Sequence, residues 1–149
     1  MTHITMRRMN EIDIDNVLMV EERSFTVPWS RVGFASEMKN ELAYYLVMVD
    51  RGTIIGYAGM WIIVDEAHVT NVAILPEYRG RKIGEKLMSG LIERAKDRGA
   101  LSMTLEVRTS NTVALGLYAK FGFAPRGIRR NYYTDTHEDA IIMWCDKLA

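Results

Sequence analysis

Three stretches of this sequence carry side chains suited to chemistry, and the first is a basic turn that contains glycine. Val72-Ala73-Ile74 close an apolar run, Pro76 ends it, and Arg79-Gly80-Arg81-Lys82-Ile83-Gly84 lead into a helical pattern. The first turn of a helix has unpaired N–H groups and a partial positive charge, so an anion, above all a diphosphate, fits there. Gly80 and Gly84 let the backbone come close to such a group, and Arg79, Arg81 and Lys82 add charge. A solvated basic turn that simply starts a helix accounts for the same residues. The stretch is not a Walker loop, because G-x-x-x-x-G-K-[ST] is absent, and it lacks the Rossmann G-x-G-x-x-G.

The second stretch is Leu105-Glu106-Val107-Arg108. Strand alternation sets Glu106 with Thr104 and Arg108, away from Met103, Leu105 and Val107. A carboxylate there either pairs with Arg108 or a lysine, or stays available for acid–base work. The third stretch starts at Asn111, which caps a helix with the stripe Ala114, Leu117, Tyr118 and Phe121. On such a stripe a core tyrosine with a satisfied hydroxyl is the commoner occupant. Cys145 sits in an apolar terminal strand without a nearby histidine and reads as structural. His3, His68 and His137 are scattered, so no zinc spacing forms and no metal is expected. His68 and His137 read as surface or loop residues, and Trp61 and Trp144 as core.

The elements that must position these groups follow from periodicity. Strands are expected at 2–8, 44–49, 54–64, 68–75, 101–107, 123–130 and 139–147, with Leu101, Met103, Leu105 and Val107 on one face. Helices are expected at 11–24, at 31–38 capped by Ser30, at 83–98 with the stripe Ile83, Leu87, Leu91 and Ala95, and at 112–121. The segment Arg129-Arg130-Asn131-Tyr132-Tyr133 up to Glu138-Asp139 is expected to be the loop between the last two strands. The helix from Ile83 links two strands by a crossover, so those two can run parallel. The fold class is α/β, a mixed, mostly antiparallel sheet of about seven strands with helices on both faces.

Composition limits the function classes. The 149 residues, 48% hydrophobic and 26% charged, suit one domain over 1–149. Lys+Arg and Asp+Glu both number 19, and general nucleic-acid binding needs a positive surplus. No signal peptide or apolar stretch of about 18 residues stands out, so no membrane span is expected. The lone cysteine fits a reducing compartment, and the cytoplasm is the expected location.

The turn resembles the coenzyme A signature of the GNAT family of N-acetyltransferases, [Q/R]-x-x-G-x-[G/A], with Arg79 and Gly84 matching its ends. Lys82 stands where the family has its central glycine; a lysine at negative φ would still offer its N–H and add charge. Further motifs are similar to the RimI-type branch of the family. They are Phe25-Thr26-Val27-Pro28-Trp29-Ser30, Leu105-Glu106-Val107-Arg108 with Ser110-Asn111, Leu117-Tyr118 with Phe121-Gly122-Phe123, Ile128-Arg129-Arg130-Asn131-Tyr132-Tyr133, and Glu138-Asp139-Ala140-Ile141-Ile142-Met143. The resemblance covers nearly the whole chain.

It implies the GNAT fold, acetyl-CoA as cosubstrate, and direct attack of an amine on the thioester without a covalent enzyme intermediate. It implies Glu106 as general base, directly or through water, and Tyr118 as the general acid that protonates the leaving thiolate. Asn111 would also contact the cofactor, and Val72, Ala73 and Ile74 would offer backbone groups to the pantetheine arm. The branch acetylates the N-terminal alanine of a small-subunit ribosomal protein. Physical chemistry agrees with a terminal amine: its pKa lies about 2.5 units below that of lysine, so deprotonation near neutrality costs about 3.4 kcal/mol less. Tyr132 and Tyr133 would stack on a bound peptide, Glu138 or Asp139 would attract its cationic terminus, and Trp29 would line the far side of the groove. Two other readings stand beside this one: a small amine acceptor such as a polyamine or aminoglycoside, and an acyl-CoA-binding module without catalysis.

Overall fold

The computed structural model describes residues 3–80 and 82–148. Its strands are β1 (Ile4–Arg8), β2 (Ala43–Asp50), β3 (Thr53–Ile63), β4 (Glu66–Ile74), β5 (Ser102–Arg108), β6 (Ala124–Tyr133) and β7 (Glu138–Cys145). Its helices are α1 (Ile14–Ser24), α2 (Arg31–Met38), α3 (Ile83–Asp97) and α4 (Thr112–Lys120). Single 3-10 turns precede α1 and follow β4. The start of the expected first strand, Thr2, and Arg81 of the basic turn lie outside the described residues.

The strands form one sheet in the order β1-β2-β3-β4-β5-β7-β6. All neighbours are antiparallel except β4 and β5, which the α3 crossover joins in parallel. The expected α/β architecture, with helices on both faces, is what forms. On one face α1 and α2 pack on β2 and β3, with the Phe34 ring 5.7 Å from Tyr57 and 6.5 Å from Tyr45. On the other face lies α3: a Cβ added at Gly90 would fall 2.7 Å from Met6 Sδ and 3.3 Å from Leu46 Cδ2. Gly59 is required by a close approach, because a Cβ there would sit 2.2 Å from Tyr45 Cε2.

Local chemistry explains the helix starts. Asn10 and Asp13 form a reciprocal capping box ahead of α1. The buried Asp13 takes two hydrogen bonds from Arg7, at 2.7 and 2.8 Å. Ser30 accepts from the Gly33 N–H at the start of α2, as its residue type predicts. No helix among the described residues is long and apolar enough to cross a membrane.

The expectations for Leu101, Trp61, Trp144 and the segment 129–133 are corrected. Leu101 does not join the buried face of β5; it is 64% exposed and precedes the strand, its N–H bonded to Asp65. Trp61 is 37% exposed and Trp144 half-buried, so neither is core. The segment 129–133 is not loop: β6 runs on to Tyr133, with its register shifted between Arg129 and Tyr133 and Asn131 at φ +51°. That irregularity bends the strand, and Asp139 Oδ1 accepts the Asn131 N–H at 2.9 Å. Cys145 is buried in β7, its thiol near the carbonyls of Phe121 and Lys147.

Candidate active site

The site begins with a failure of strand pairing. β4 and β5 pair only at Glu66↔Ser102, Ala67↔Met103 and His68↔Thr104. Beyond that point β4 stays paired with β3 as far as Ile74, and β5 stays paired with β7 as far as Arg108. The β4–β3 register slips between Gly59 and Met60, which leaves Thr70 as the extra residue of a bulge. A bulge bends its strand, and β4 diverges from β5 from here on. The edge of β4 from Val69 to Ile74 thus faces β5 without a sheet partner among the described residues, and its outward N–H and C=O groups, apart from the Ile74 carbonyl that Arg79 takes, are open to a ligand. A cavity of about 750 Å³ fills the opening, with Val69–Val72 on one wall and Leu105–Arg108 on the other.

This opening lets side chains from opposite faces of the sheet meet. Glu106 alternates with the buried Met103, Leu105 and Val107 and shares a face with Thr104, whose parallel partner is His68. Trp61 pairs with His68, and Gly59 with Asn71, so those positions also lie on the α1/α2 face. Tyr118 comes from the opposite face, on α4, whose Leu117 would touch a Cβ at Gly84 of α3. Both Glu106 and Tyr118 nevertheless line the one cavity. The Glu106 carboxylate lies 3.6 Å from Arg129 Nε, whereas Arg108, the partner weighed from sequence, is taken by Asp135. Tyr118 is 7% exposed, and burial pushes its hydroxyl pKa up to about 12. Asn111 also lines the cavity, and its Oδ1 accepts the Ala114 N–H at 3.1 Å, capping α4.

The basic turn stands at the end of the open strand edge. Arg79 donates from Nε to the Ile74 carbonyl at 3.1 Å, Gly80 takes φ +81°, and Ile83 is buried at the start of α3. Lys82 corrects an expectation: its φ is +62° rather than negative. It adopts the left-handed conformation that glycine prefers, so the backbone path survives the substitution. Among the described residues no side chain caps α3, which leaves its first amides for a ligand. Gly84 faces protein: an added Cβ would lie 3.4 Å from Leu117 Cδ2 and 3.7 Å from Ile74 Cδ1. The one acid in this first turn, Glu85, is tied to Lys120 of α4. Val72 lines the cavity, Ala73 and Ile74 continue its strand, and Arg79, Gly80, Lys82, Ile83 and Gly84 lie beyond its walls. A free strand edge running to an uncapped helix start is a good fit for an elongated group that ends in a diphosphate.

On the opposite side the structure brings together Trp29, Tyr132 and Tyr133. The two tyrosine rings meet edge to face at 5.0 Å, and the Arg108 guanidinium lies 4.0 Å above Tyr133. Burial raises the pKa of both hydroxyls, that of Tyr133 to about 12. Glu138 and Asp139 do not join the cavity. Glu138 accepts from the Ser110 N–H at 2.9 Å and from Thr109, bonds that hold its carboxyl below the usual range. Asp139 is occupied by Asn131 and lies 3.6 Å from Arg130. Glu138 thus ties the β6–β7 hairpin to the loop after β5, and Asp139 holds the bend of β6.

The cavity's acids are instead Glu21, Glu106 and Asp135. Asp135 takes two 3.0 Å bonds from Arg108 and one from Thr26, which hold its carboxyl at about 2. These contacts tie the loop after α1 to the β6–β7 hairpin. Sequence reasoning missed Glu21, Asn71 and Asp135. Glu21 had a legible signal, because it falls on the buried stripe of α1 with Ile14, Val17 and Val20, where a charge is out of place. His68, expected at the surface or in a loop, lines the cavity from β4 beside Glu66, at 3.1 Å. No group of His, Cys, Asp or Glu that would hold a metal ion forms among the described residues.

Comparison with known proteins identifies the family and the fold. The profile of the Acetyltransferase (GNAT) family matches residues 14–123. The chain is 49% identical over 144 residues to a protein of Bacillus subtilis (strain 168) that provisionally carries the name ribosomal protein bS18-alanine N-acetyltransferase; the match covers 96% of this chain and 95% of that one. It is 36% identical over 141 residues to the Escherichia coli (strain K12) enzyme of that name, with 93% and 95% covered. A crystal structure of the Escherichia coli ribosomal-protein-alanine N-acetyltransferase superposes with a TM-score of 0.89 at 35% identity, covering 98% of this chain and 96% of that one. A parted parallel strand pair, a helix start left uncapped by the described residues at the end of its free edge, and a carboxylate and a tyrosine lining one cavity therefore sit in a chain that belongs to the GNAT acetyltransferase family, and it is an acyltransferase.

Proposed function

We propose that this enzyme transfers the acetyl group of acetyl-CoA to the amine of a protein N-terminus, an alanine of a small-subunit ribosomal protein, in the cytoplasm. The observation that carries the reading is the opening between β4 and β5, where Glu106 and Tyr118 reach one cavity from opposite faces of the sheet. The names of the relatives support the acceptor, as does the lower pKa of a terminal amine.

Acetyl-CoA would supply an acyl group activated as a thioester. Val72, Ala73 and Ile74 offer the strand edge for its pantetheine arm, and the turn from Arg79 to Gly84 offers amides and charge for its diphosphate. Asn111 stands at the cavity between these groups and α4. The Glu106 carboxylate takes the proton that leaves the amine, directly or through water. The Tyr118 hydroxyl, kept protonated by burial, gives its proton to the departing sulfur. Trp29, Tyr132 and Tyr133 hold the first residues of the acceptor. With Glu138 and Asp139 engaged elsewhere and Asp135 paired with Arg108, Glu21 is the acid left to face it.

The test is mass spectrometry of a peptide panel with acetyl-CoA. An alanine-starting peptide gains one acetyl group on its α-amine, and spermidine gains none. Turnover of spermidine alone would establish the small-amine reading, and tight coenzyme A binding without turnover of any amine would establish the binding module.

A further inference from the structure

Among the described residues, Glu21 is a carboxylate without a counter-ion. It is 2% exposed, yet it lines the cavity. Its Oε1 accepts from the Tyr57 hydroxyl, and its Oε2 from the Trp29 backbone N–H at 2.9 Å. Among the described residues no arginine, lysine or histidine pairs with it. The titratable groups set against it are Tyr57 and Tyr45, with Glu37 beyond, bonded to the Tyr45 hydroxyl at 2.7 Å. Burial raises the Glu21 pKa in spite of its two hydrogen bonds, the direction expected of an acid kept from both water and cation.

A second observation points the same way. Asn71 of β4 is 8% exposed, lines the same cavity and lies beside the Tyr57 hydroxyl. Its Oδ1 is buried without a hydrogen-bond partner, which is rare enough in folded proteins to need a reason. Two buried acceptors on one wall, one of them charged, call for a ligand with several N–H donors and one positive charge. That ligand is an ammonium group.

We propose that Glu21 and the Asn71 side-chain oxygen form the receiving site for the protonated terminal amine of the acceptor. The proposal rests on the reading of the acceptor as a protein N-terminus and assigns where its charge is held before Glu106, on the same face of the sheet, takes the proton. Glu21 also positions the wall it belongs to, because its bond to the Trp29 N–H fixes the loop carrying that ring.

The test separates charge recognition from loop positioning. Two peptides are titrated calorimetrically into the enzyme with coenzyme A present: an alanine-starting peptide, and the same peptide with a propionyl group in place of alanyl, which lacks only the amine. The unsubstituted enzyme binds the first about tenfold or more tighter, as charge-assisted hydrogen bonds require. Glu21→Gln and Asn71→Leu each shrink that ratio toward one while coenzyme A affinity stays unchanged. If Glu21→Gln weakens both peptides equally, Glu21 only braces the Trp29 loop and the receiving site is overturned. An unchanged ratio in both variants, with peptide turnover intact, overturns the receiving site alone. Failure of the unsubstituted enzyme to bind or acetylate the alanine peptide overturns the acceptor reading, and the site with it.

Discussion

Replacing Tyr118 with phenylalanine removes one oxygen and leaves the packing in place. The ring is buried and lies 5.8 Å from the Phe123 ring, centroid to centroid. Burial raises its pKa, and among the described residues no hydrogen bond reaches its hydroxyl. Deleting that hydroxyl therefore orphans no partner, and the fold should change by about 0.5 kcal/mol or less. Proton delivery is another matter. A positioned general acid contributes about 10²–10⁴-fold, which is about 2.7–5.4 kcal/mol of barrier at about 1.36 kcal/mol per tenfold. The assay follows thiol release from acetyl-CoA at saturating alanine peptide, beside a thermal melt of the same preparation. The expected result is kcat lowered by that factor at an unchanged Tm. Turnover within about threefold of the parent would refute the assignment, because no single general acid of this strength would be missing. A Tm that falls in step with activity would return Tyr118 to packing.

Three other substitutions test separate parts of the structure. Glu106→Gln should lower kcat/KM by about 10²–10⁴-fold with acetyl-CoA affinity unchanged by equilibrium titration; intact turnover would leave Glu106 as no more than the neighbour of Arg129. Lys82→Gly should keep the stability of the fold, because glycine accepts the same φ, while the loss of the lysine charge should raise the KM for acetyl-CoA. Lys82→Val, forced into the same left-handed conformation, should cost about 1–2 kcal/mol in denaturant unfolding, and equal stability of the two would contradict the φ of +62°. Arg7→Ala should destabilise the fold by about 1 kcal/mol at pH 7, a figure already discounted for the exposure of Arg7. The bond to Arg7, first, holds the Asp13 pKa below its ordinary value, so the stabilisation is complete above about pH 4 and is lost as pH falls through the lowered folded pKa. Denaturation at pH 7 and again near pH 2 should show the difference between parent and variant shrinking; a difference that grew with acid would reverse the sign.

The parts of the fold that were legible are those whose periodicity reports burial. Ile83, Leu87, Leu91 and Ala95 are all buried on α3, and their four-residue spacing marked that helix without further context. The end of β6 was not legible, because an edge strand exposed along almost its whole length has no buried face to impose alternation. Trp61 shows the reverse problem: its size suggested core, but it borders a cavity and spends its Nε1–H on Glu37. Glu106, Asn111 and Tyr118 could be named because each sits in a local motif. What brings them to one cavity is the parting of β4 from β5, a matter of register that the bulge at Thr70 does not announce in sequence. Asn71 had no motif and Glu21 only its place on the apolar stripe of α1; their burial shows what they lack, a cation for Glu21 and a donor for the Asn71 oxygen. Glu138 and Asp139 carried a plausible charge, but the hairpin uses both.

A crystal structure of the enzyme with coenzyme A tests most directly whether the parted strands are the place of acetyl transfer. The diphosphate should lie against the amides between Gly80 and Gly84, with the pantetheine arm along β4 and the sulfur in the opening beside Tyr118. Coenzyme bound away from that opening, or with its sulfur directed out of the cavity shared by Glu106 and Tyr118, would contradict it.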